Sequence, residues 1–365
     1  MGSPIPYNSD NLLDNKNTLA AIFLKIVSGE KRGIISAMWF CLFFLISLPL
    51  SVIVRIRNFL YDKELLPVKR VPVFTVSVGN LTLGGTGKTP MCAFLVRYFL
   101  DNGYNPGIIS RGYGRSKSKN ANNDEFLELA MQFPKVPHVQ NPDRITAAKQ
   151  LLEVNSNVNV IILDDAMQHR RIKRDVNLVL IDAAEPFGFN RLFPAGLLRE
   201  PVSELRRTDA VILTRSDFVT EEKIAEIKQR CEKIAPNIIW AQTVHFPKEL
   251  LTPEHQTVDI SFISGKRVIA FCGIGNPEAF RRTLSGCGAE TADFLVFPDH
   301  HRYDAEDLRY IKDIAVKCNV ETIICTVKDL VKIPAEEMKE TVLYAVSIQI
   351  RFLCGEEELG KLLRQ

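Results

Sequence analysis

The sequence predicts an α/β protein with a mostly parallel sheet, and three observations lead to this prediction. Short, nearly continuous apolar runs recur along the chain, as expected for strands buried on both faces. Amphipathic, helix-like segments separate these runs, and such alternation implies parallel strands joined by right-handed crossovers. A polar, proline-containing stretch at 247–259 divides the pattern into two sets. We therefore expect a second, smaller α/β domain after this stretch.

The predicted strands fall into one set before residue 215 and another after residue 266. The first set is 71–78, 107–110, 160–165, 178–182 and 210–214, and the second is 267–274, 293–299, 322–329 and 343–350. Helix-like segments lie between them. The segment 89–103, for example, has a wide apolar stripe and ends in glycine, which is typical of a helix and its C-terminal cap.

Length, charge and cysteine usage limit the class of protein. A chain of 365 residues is long enough for about two domains. A formal net charge of +3 argues against a nucleic-acid-binding protein. The eight cysteines form no CxxC pair and most lie in apolar runs. We therefore expect buried, reduced thiols and no zinc site.

A long uncharged segment near the N-terminus predicts association with a membrane. Residues 33–54 are apolar and uncharged, long enough to cross a hydrocarbon core of ~30 Å as a helix. Both flanks are basic, so the positive-inside rule sets no orientation. Pro49 leaves a re-entrant or interfacial segment open, and a buried core helix is the alternative. Segment 19–27 predicts a short helix on the membrane surface.

These patterns predict three parts of the chain. They are a membrane-associated segment at 1–60 with the apolar helix at 33–54, a larger α/β domain at 61–246, and a smaller α/β domain at 247–365.

The sequence GNLTLGGTGKTP (79–90) follows a predicted strand and precedes a predicted helix. This is the context of a P-loop, in which glycines let backbone N–H groups surround a phosphate at a helix N-terminus. Thr82 occupies the position of the usual leading glycine. The predicted nucleotide-binding residues are Thr82, Leu83, Gly84, Gly85, Thr86, Gly87, Lys88 and Thr89. Lys88 is expected to contact the β- and γ-phosphates, and the Thr89 hydroxyl to contact Mg²⁺.

Asp164 and Asp165 end the predicted strand VIILDD. A carboxylate at a strand end near a phosphate loop is suited to bind the Mg²⁺ of a nucleotide. The alternative is an aspartate that caps the following turn. Gln168 and His169 follow closely and are candidate substrate contacts, because ligands bind at the carboxyl edge of parallel sheets.

An ordered set of motifs resembles the tetraacyldisaccharide 4′-kinase family. The set comprises SVGNLTLGGTGKTP, SRGYG (110–114), NPDR (141–144), LDDAMQHRRIKRD, FPAGLLREP (193–201), FCGIGNPEAF (271–280), FPDHHRY (297–303) and TVKDLVK (326–332). The resemblance covers about residues 60–335. It implies a P-loop NTPase-like fold with a P-loop kinase domain at 61–246, and ATP and Mg²⁺ as cofactors. The implied substrate is a lipid A precursor, tetraacyldisaccharide 1-phosphate. It also implies membrane lipids as partners and an active site on the cytoplasmic face of the bacterial inner membrane.

The sequence departs from the family pattern at two places. Ala166-Met167 stands where the family usually has Gly-Phe, so we expect the turn after Asp165 to be built differently. At 123–126 the flanks differ from the usual GDEP, but the acidic pair is kept.

The resemblance also implies roles for individual residues. Asp124, in the acidic pair, is the expected base for the substrate hydroxyl, and His300 is expected to pair with it across two domains. Glu125 is expected to join Asp164, Asp165 and Thr89 around Mg²⁺. Arg111 and Arg144 are candidate phosphate contacts by bidentate geometry. The alternatives are a surface ion pair for the arginines and a capping role for His300.

Two other classes of protein compete with a lipid kinase. A P-loop GTPase or metal-insertion chaperone is suggested by residues 214–217 (TRSD), which resemble a guanine-reading box with arginine in place of lysine. Such a protein has no need of the apolar segment. A membrane-tethered binding module without catalysis leaves the acidic pairs and His300 unexplained.

Overall fold

A computed structural model describes residues 19–112, 124–338 and 341–364. The chain divides into two compact units. Among the described residues, the larger unit contains those from 33 to 246 and from 349 to 364, and the smaller unit contains 19–32 and those from 247 to 348. The larger unit therefore includes the long apolar helix and the last residues of the chain. The sequence-based division at 60 and 246 into functional parts stays a prediction.

The larger unit is built on a parallel sheet. Its strands are β1 (Phe74–Asn80), β2 (Pro106–Ser110), β3 (His138–Gln140), β4 (Val160–Asp164), β5 (Val176–Asp182), β6 (Ala210–Thr214) and β7 (Ile239–Leu251). They are ordered β7-β6-β5-β1-β4-β2-β3, and each neighbouring pair in this series is parallel. The prediction of a mostly parallel α/β sheet is confirmed. The carboxyl ends of β1 and β4 are adjacent, which brings the two predicted motifs together.

Helices cover both faces of this sheet. We number the helices of the chain from α1 (Leu19–Val27), and the larger unit contains α2 (Ile34–Asp62), α3 (Lys88–Asp101), α4 (Asp124–Gln132), α5 (Arg144–Val154), α6 (Glu221–Ile234) and α10 (Glu356–Leu363). One core lies under α3 and α10, with Phe99 and Leu359 fully buried. The alternate residues of the same strands point to the other face and pack under α5 and α6, because successive side chains along a strand point to opposite faces.

The apolar helix extends further than the uncharged run at 33–54. Helix α2 spans 29 residues with Pro49 inside it, and it is long and apolar enough to cross a membrane by length and composition. Most of its large apolar side chains are exposed. Only Ser36, Ser47 and Asn58 are buried along it. In its last two turns the polar residues Arg57, Asn58 and Asp62 contact Glu200 and Arg170, and these contacts hold the helix beyond Val54.

The smaller unit also contains a mostly parallel sheet. Its elements are α1, β8 (Thr257–Asp259), β9 (Arg267–Cys272), α7 (Pro277–Gly286), β10 (Glu290–Val296), α8 (Ala305–Lys317), β11 (Thr322–Thr326), α9 (Val327–Leu330) and the first part of β12 (Val342–Cys354), as far as Ile348. Strands β10-β9-β11-β12 are parallel in that order, and β8 pairs antiparallel with the end of β7. The predictions of a second α/β unit and of a helix at 19–27 are confirmed.

Four predicted strands, at 160–165, 267–274, 293–299 and 322–329, extend past the observed ends at Asp164, Cys272, Val296 and Thr326. For two of them the structure gives the reason. The strand at 160–165 ends at Asp164, because Asp165 has φ of +48°, in the left-handed region. The strand at 322–329 ends at Thr326, whose side chain accepts a hydrogen bond from the Asp329 N–H and caps α9. In both cases the strand ends where the backbone turns, and neither turn is visible in the hydropathy pattern.

Candidate active site

The predicted phosphate loop lies between the end of β1 and the start of α3. Gly84 and Gly87 have φ of +112° and +86°, values that residues with a Cβ atom rarely adopt. Open space surrounds the Cβ positions of Gly84 and Gly85, so a ligand can approach the backbone there. Lys88 is the first residue of α3, and Thr89 beside it is buried. This strand–loop–helix arrangement is the one predicted from the sequence.

The segment 197–199 holds one side of the loop. The Leu83 N–H donates to the Leu197 carbonyl at 2.7 Å, and the Arg199 N–H donates to the Leu81 carbonyl at 2.7 Å. Thr82 forms a β-bridge with Leu198. The threonine at the leading-glycine position is thus part of a short backbone pairing, which fixes the loop without that glycine.

Residues after β6 hold the other side of the loop. The Thr214 hydroxyl donates to the Thr86 carbonyl at 3.1 Å, and Arg215 donates to the Gly85 carbonyl at 2.8 Å. Arg215 also forms an ion pair with Asp182 at the end of β5. Residues 214–215, which suggested a guanine-reading box, therefore fix the conformation of the phosphate loop.

The paired aspartates occupy two different environments. Both oxygens of Asp165 accept hydrogen bonds from Arg199, at 2.8 and 2.9 Å, and one of them is 3.6 Å from the Lys88 Nζ. Asp164 is buried, with one oxygen 3.7 Å from the Cys92 Sγ. Burial raises the pKa of Asp164 to about 6; the Lys88 charge opposes this rise, whereas Asp165 and Glu125 add to it. Asp164 thus carries a carboxylate that its surroundings disfavour in the charged form.

The turn after Asp165 is built without the family's glycine, as expected. The left-handed φ of Asp165 makes the bend, and the Ala166 N–H donates to the Val78 carbonyl at 3.2 Å. Ala166 and Met167 are fully buried. A Cβ at Gly79 would lie 2.5 Å from the Met167 Cβ, so the glycine of β1 makes room for this turn.

The acidic pair starts helix α4. Asp124 and Glu125 form its first turn, and the charge of Glu125 contributes to the raised pKa of Asp164. Glu125 is therefore within electrostatic reach of the buried aspartate, whereas the sequence separates them by 39 positions. Arg111 is exposed just after β2. Residues 113 and 114 of SRGYG, and Asn123, lie outside the described residues.

Of the other predicted contact residues in this unit, Arg144 and Gln168 donate hydrogen bonds to backbone carbonyls. Arg144 is 1% exposed and donates to the Asn141 carbonyl at 2.9 Å and the Asp164 carbonyl at 3.2 Å. Arg144 therefore stabilises the carboxyl end of β4. Gln168 donates to the Asn80 carbonyl at 2.9 Å. Burial lowers the pKa of His169 to about 4, so this imidazole is neutral at physiological pH.

His300 lies in the smaller unit. Its φ is +60°, and its backbone N–H donates to the Gly273 carbonyl at 3.2 Å. Its side chain is exposed, with Nε2 3.9 Å from the Asp299 Oδ2. The pairing of His300 with Asp124 stays a prediction.

Three important contacts were not predicted from the sequence. Arg199 belongs to the quoted motif FPAGLLREP, but no rule of spacing marks it as a partner of Asp165. Arg215 was interpreted as part of a base-reading box. His245, in the middle of β7, lies against the phosphate loop, with its Nε2 3.0 Å from the Cβ position of Gly87. Burial lowers the pKa of His245 to about 4, and the Arg215 charge lowers it further.

Several buried polar atoms near the loop lack a hydrogen-bond partner within the described part of the chain. They are the side-chain amide of Asn80, the Thr86 hydroxyl and the Nε2 of His245. Such atoms are rare in folded proteins, and they suit a site that receives a polar ligand. Over the described ranges, no three His, Cys, Asp or Glu side chains cluster as a metal site.

A glycine loop between strand and helix, a lysine at the helix start and aspartates at the adjacent strand end define a P-loop nucleotide-binding protein. Residues 39–365 match the model of the LpxK family, tetraacyldisaccharide-1-P 4′-kinase. The chain belongs to this family.

Individual relatives agree with this assignment. The chain is 37% identical over 327 residues to a tetraacyldisaccharide 4′-kinase of Syntrophus aciditrophicus, which covers 84% of this chain and 87% of the relative. A tetraacyldisaccharide 4′-kinase of Halothermothrix orenii is 30% identical over 96% of this chain and 98% of its own length. The crystal structure of LpxK from Aquifex aeolicus in complex with ATP matches with a TM-score of 0.70 and 30% identity, covering 88% of this chain and 97% of that one.

Proposed function

We propose that this protein transfers the γ-phosphoryl group of ATP to the 4′-hydroxyl of tetraacyldisaccharide 1-phosphate, giving the 4′-phosphorylated lipid A precursor, lipid IVA. The observation that carries this proposal is the placement of Lys88, Asp164 and Asp165 together at the phosphate loop of a chain that belongs to the 4′-kinase family. This membership does not favour the GTPase alternative.

The loop residues supply positioning and charge for phosphoryl transfer. Residues 82–89 surround the triphosphate with backbone N–H groups at the start of α3, and Lys88 neutralises charge on the transferring group. Asp165 holds the Lys88 ammonium and the Arg199 guanidinium next to each other. We infer that this ion-pair cluster keeps two cations in place at the phosphate end of the site.

Asp164 and Thr89 suit the ligand role for Mg²⁺ better than Asp165 does. Asp165 already accepts two hydrogen bonds from Arg199, whereas Asp164 is a buried carboxylate with a raised pKa. A divalent cation would relieve the repulsion between Asp164, Asp165 and Glu125. Held by Asp164 and Thr89, Mg²⁺ would supply positive charge close to the transferring phosphoryl group. Glu125 lies close enough to contribute to this charge balance.

Transfer to a hydroxyl also requires an acceptor for its proton. We assign this role to Asp124, at the start of α4, with His300 of the smaller unit as the partner that stabilises the proton. We assign Arg111 to contact with a substrate phosphate, and Gln168 and His169 to contact with the substrate. Arg144 is assigned to bracing the end of β4.

We further propose that α2 anchors the enzyme to the cytoplasmic face of the bacterial inner membrane, where the lipid substrate is presented. The exposed apolar side chains along α2 support this proposal, as does the apolar character of a tetraacylated acceptor. Residues 61–246 are assigned to nucleotide binding as the P-loop kinase domain, and 247–365 form the smaller α/β domain.

A labelled-phosphate assay tests the proposed function. Purified protein is incubated with γ-³²P-ATP, Mg²⁺ and tetraacyldisaccharide 1-phosphate in mixed micelles. We expect label in the lipid, and no label with GTP as donor or with Lys88→Ala. Hydrolysis of nucleotide without labelled lipid would contradict the proposal.

A further inference from the structure

The carboxyl-terminal end of α2 is held by charged contacts, in contrast to the exposed apolar surface of the rest of the helix. Arg57 forms an ion pair with Glu200 and also donates to the Asn58 side chain. Arg170 donates to the Asn58 carbonyl at 3.1 Å and to Asp62 at 2.6 Å. The last turn of the helix is therefore fixed at two points, one of which is a buried carboxylate.

Glu200 is joined directly to the segment that shapes the phosphate loop. Its side chain is 0% exposed and also pairs with Arg207. The preceding residue, Arg199, accounts for both the backbone contact to Leu81 and the ion pair with Asp165. A continuous series of contacts thus runs from Arg57 through Glu200 and Arg199 to the carboxylate beside Lys88.

The burial of Glu200 makes this connection sensitive to Arg57. A buried carboxylate needs compensating cations, and removal of one partner leaves part of the charge unbalanced. Arg207 remains beside Glu200, so the carboxylate retains one partner and the fold is expected to survive. The segment 197–200 would shift to restore solvation of Glu200. This shift would move Leu83 through its hydrogen bond to Leu197, and Asp165 through its ion pair with Arg199.

We propose that Arg57 is a positioning residue, which couples the docking of the membrane helix to the geometry of the phosphate loop through Glu200. This inference rests on the proposed kinase function. It adds that α2 does more than concentrate the enzyme at the bilayer: its docked end sets the position of the Asp165–Lys88 pair for transfer. Breaking the contact should slow turnover even when the enzyme remains bound to lipid.

The test compares Arg57→Gln with a matched control on the same helix. Arg55 carries the same charge two residues earlier, is exposed, and has no ion pair within the described ranges; Arg55→Gln is the control. Full-length proteins are assayed on vesicles containing tetraacyldisaccharide 1-phosphate. The readouts are kcat, KM for the lipid, co-sedimentation with vesicles and thermal unfolding.

We expect Arg57→Gln to lower kcat by roughly tenfold or more, because small displacements of positioned groups have effects of this size. Co-sedimentation and KM for the lipid should stay near those of the unchanged protein. Arg57→Lys should recover part of kcat, since it restores the charge without the planar fork. Arg55→Gln should leave kcat nearly unchanged.

Three outcomes would overturn the inference. They are an unchanged kcat in Arg57→Gln, a loss that only mirrors weaker vesicle binding, and an equal loss in Arg55→Gln. If Arg57→Gln unfolds at the assay temperature, the folded variant Arg57→Lys is used for the test instead. A full kcat in Arg57→Lys would contradict a positioning role that needs the arginine fork. An unchanged protein that transfers no phosphate contradicts the proposed function instead, so the two failures are distinguishable.

Discussion

Replacement of Asp164 by asparagine is expected to stabilise the nucleotide-free protein while abolishing its response to Mg²⁺ and ATP. Burial is the main cause of the raised pKa of Asp164, about 6 against an ordinary value of 3.8. A rise of this size corresponds to about 3 kcal/mol of unfavourable free energy when the carboxyl is ionised. Asparagine has a similar shape and no charge, so Asp164→Asn removes this penalty.

The pH dependence of the effect follows from the two pKa values. The folded-state pKa lies above the unfolded-state value, so ionisation of Asp164 destabilises the fold as pH rises towards and through 6. Above pH 6 the full penalty is present. Between pH 6 and pH 4 it declines, and below the unfolded-state value both states bind the proton. The stabilising effect of Asp164→Asn should therefore be greatest near pH 8 and small near pH 4.

Chemical denaturation of both proteins at pH 8 and pH 4.5, with and without Mg²⁺ and ATP, measures these quantities. We expect the variant to be more stable by up to about 3 kcal/mol at pH 8 without ligand, and by much less at pH 4.5. Mg²⁺ with ATP should raise the stability of the unchanged protein by ligand linkage but have little effect on the variant. A variant that is less stable at pH 8, or equally protected by the ligands, would refute the assignment of Asp164.

The other predictions concern catalysis. Lys88→Ala should lower turnover by ~100-fold or more by removing charge at the transferring phosphoryl group, with an unchanged unfolding transition as evidence of an intact fold; near-normal turnover would reject the P-loop role. Asp124→Ala and His300→Ala should each lower kcat strongly with little change in KM for ATP. The double variant should be little worse than the worse single one, and losses that multiply would mean that the two residues act independently. Arg215→Ala should raise KM for ATP, because the phosphate loop loses a support at its carbonyl; an effect confined to the lipid KM would contradict this account.

Much of the fold was predictable because the relevant signals are local. Apolar runs marked the buried strands, and the strand–glycine–helix context marked the phosphate loop. Some strand ends were predicted too late, because the backbone turns at a residue that the hydropathy pattern does not mark. Asp165 turns with a left-handed φ, and Thr326 caps the next helix with a hydrogen bond. The absence of the family's glycine after Asp165 was visible in the sequence, but the way the turn is made depends on the contact between Gly79 and Met167.

The supporting contacts of the site were much less predictable. Arg199 and Arg215 reach the loop from strand ends and segments that lie far away in the sequence. Nothing in the spacing of the residues indicates which arginine meets which carbonyl or carboxylate. The same holds for Arg57 and Glu200, which are 143 positions apart. Such pairs depend on how whole helices and strands pack together, so local sequence patterns do not predict them.

The central claim is tested most directly by locating the phosphate in the product. Lipid made by the purified protein from ATP and tetraacyldisaccharide 1-phosphate is analysed by ³¹P–¹H correlation spectroscopy, with Lys88→Ala as the control. The account predicts a second phosphate whose phosphorus correlates with the proton on the 4′ carbon, and no such signal from the control. A phosphate at any other position, or an unmodified acceptor despite ATP turnover, would contradict it.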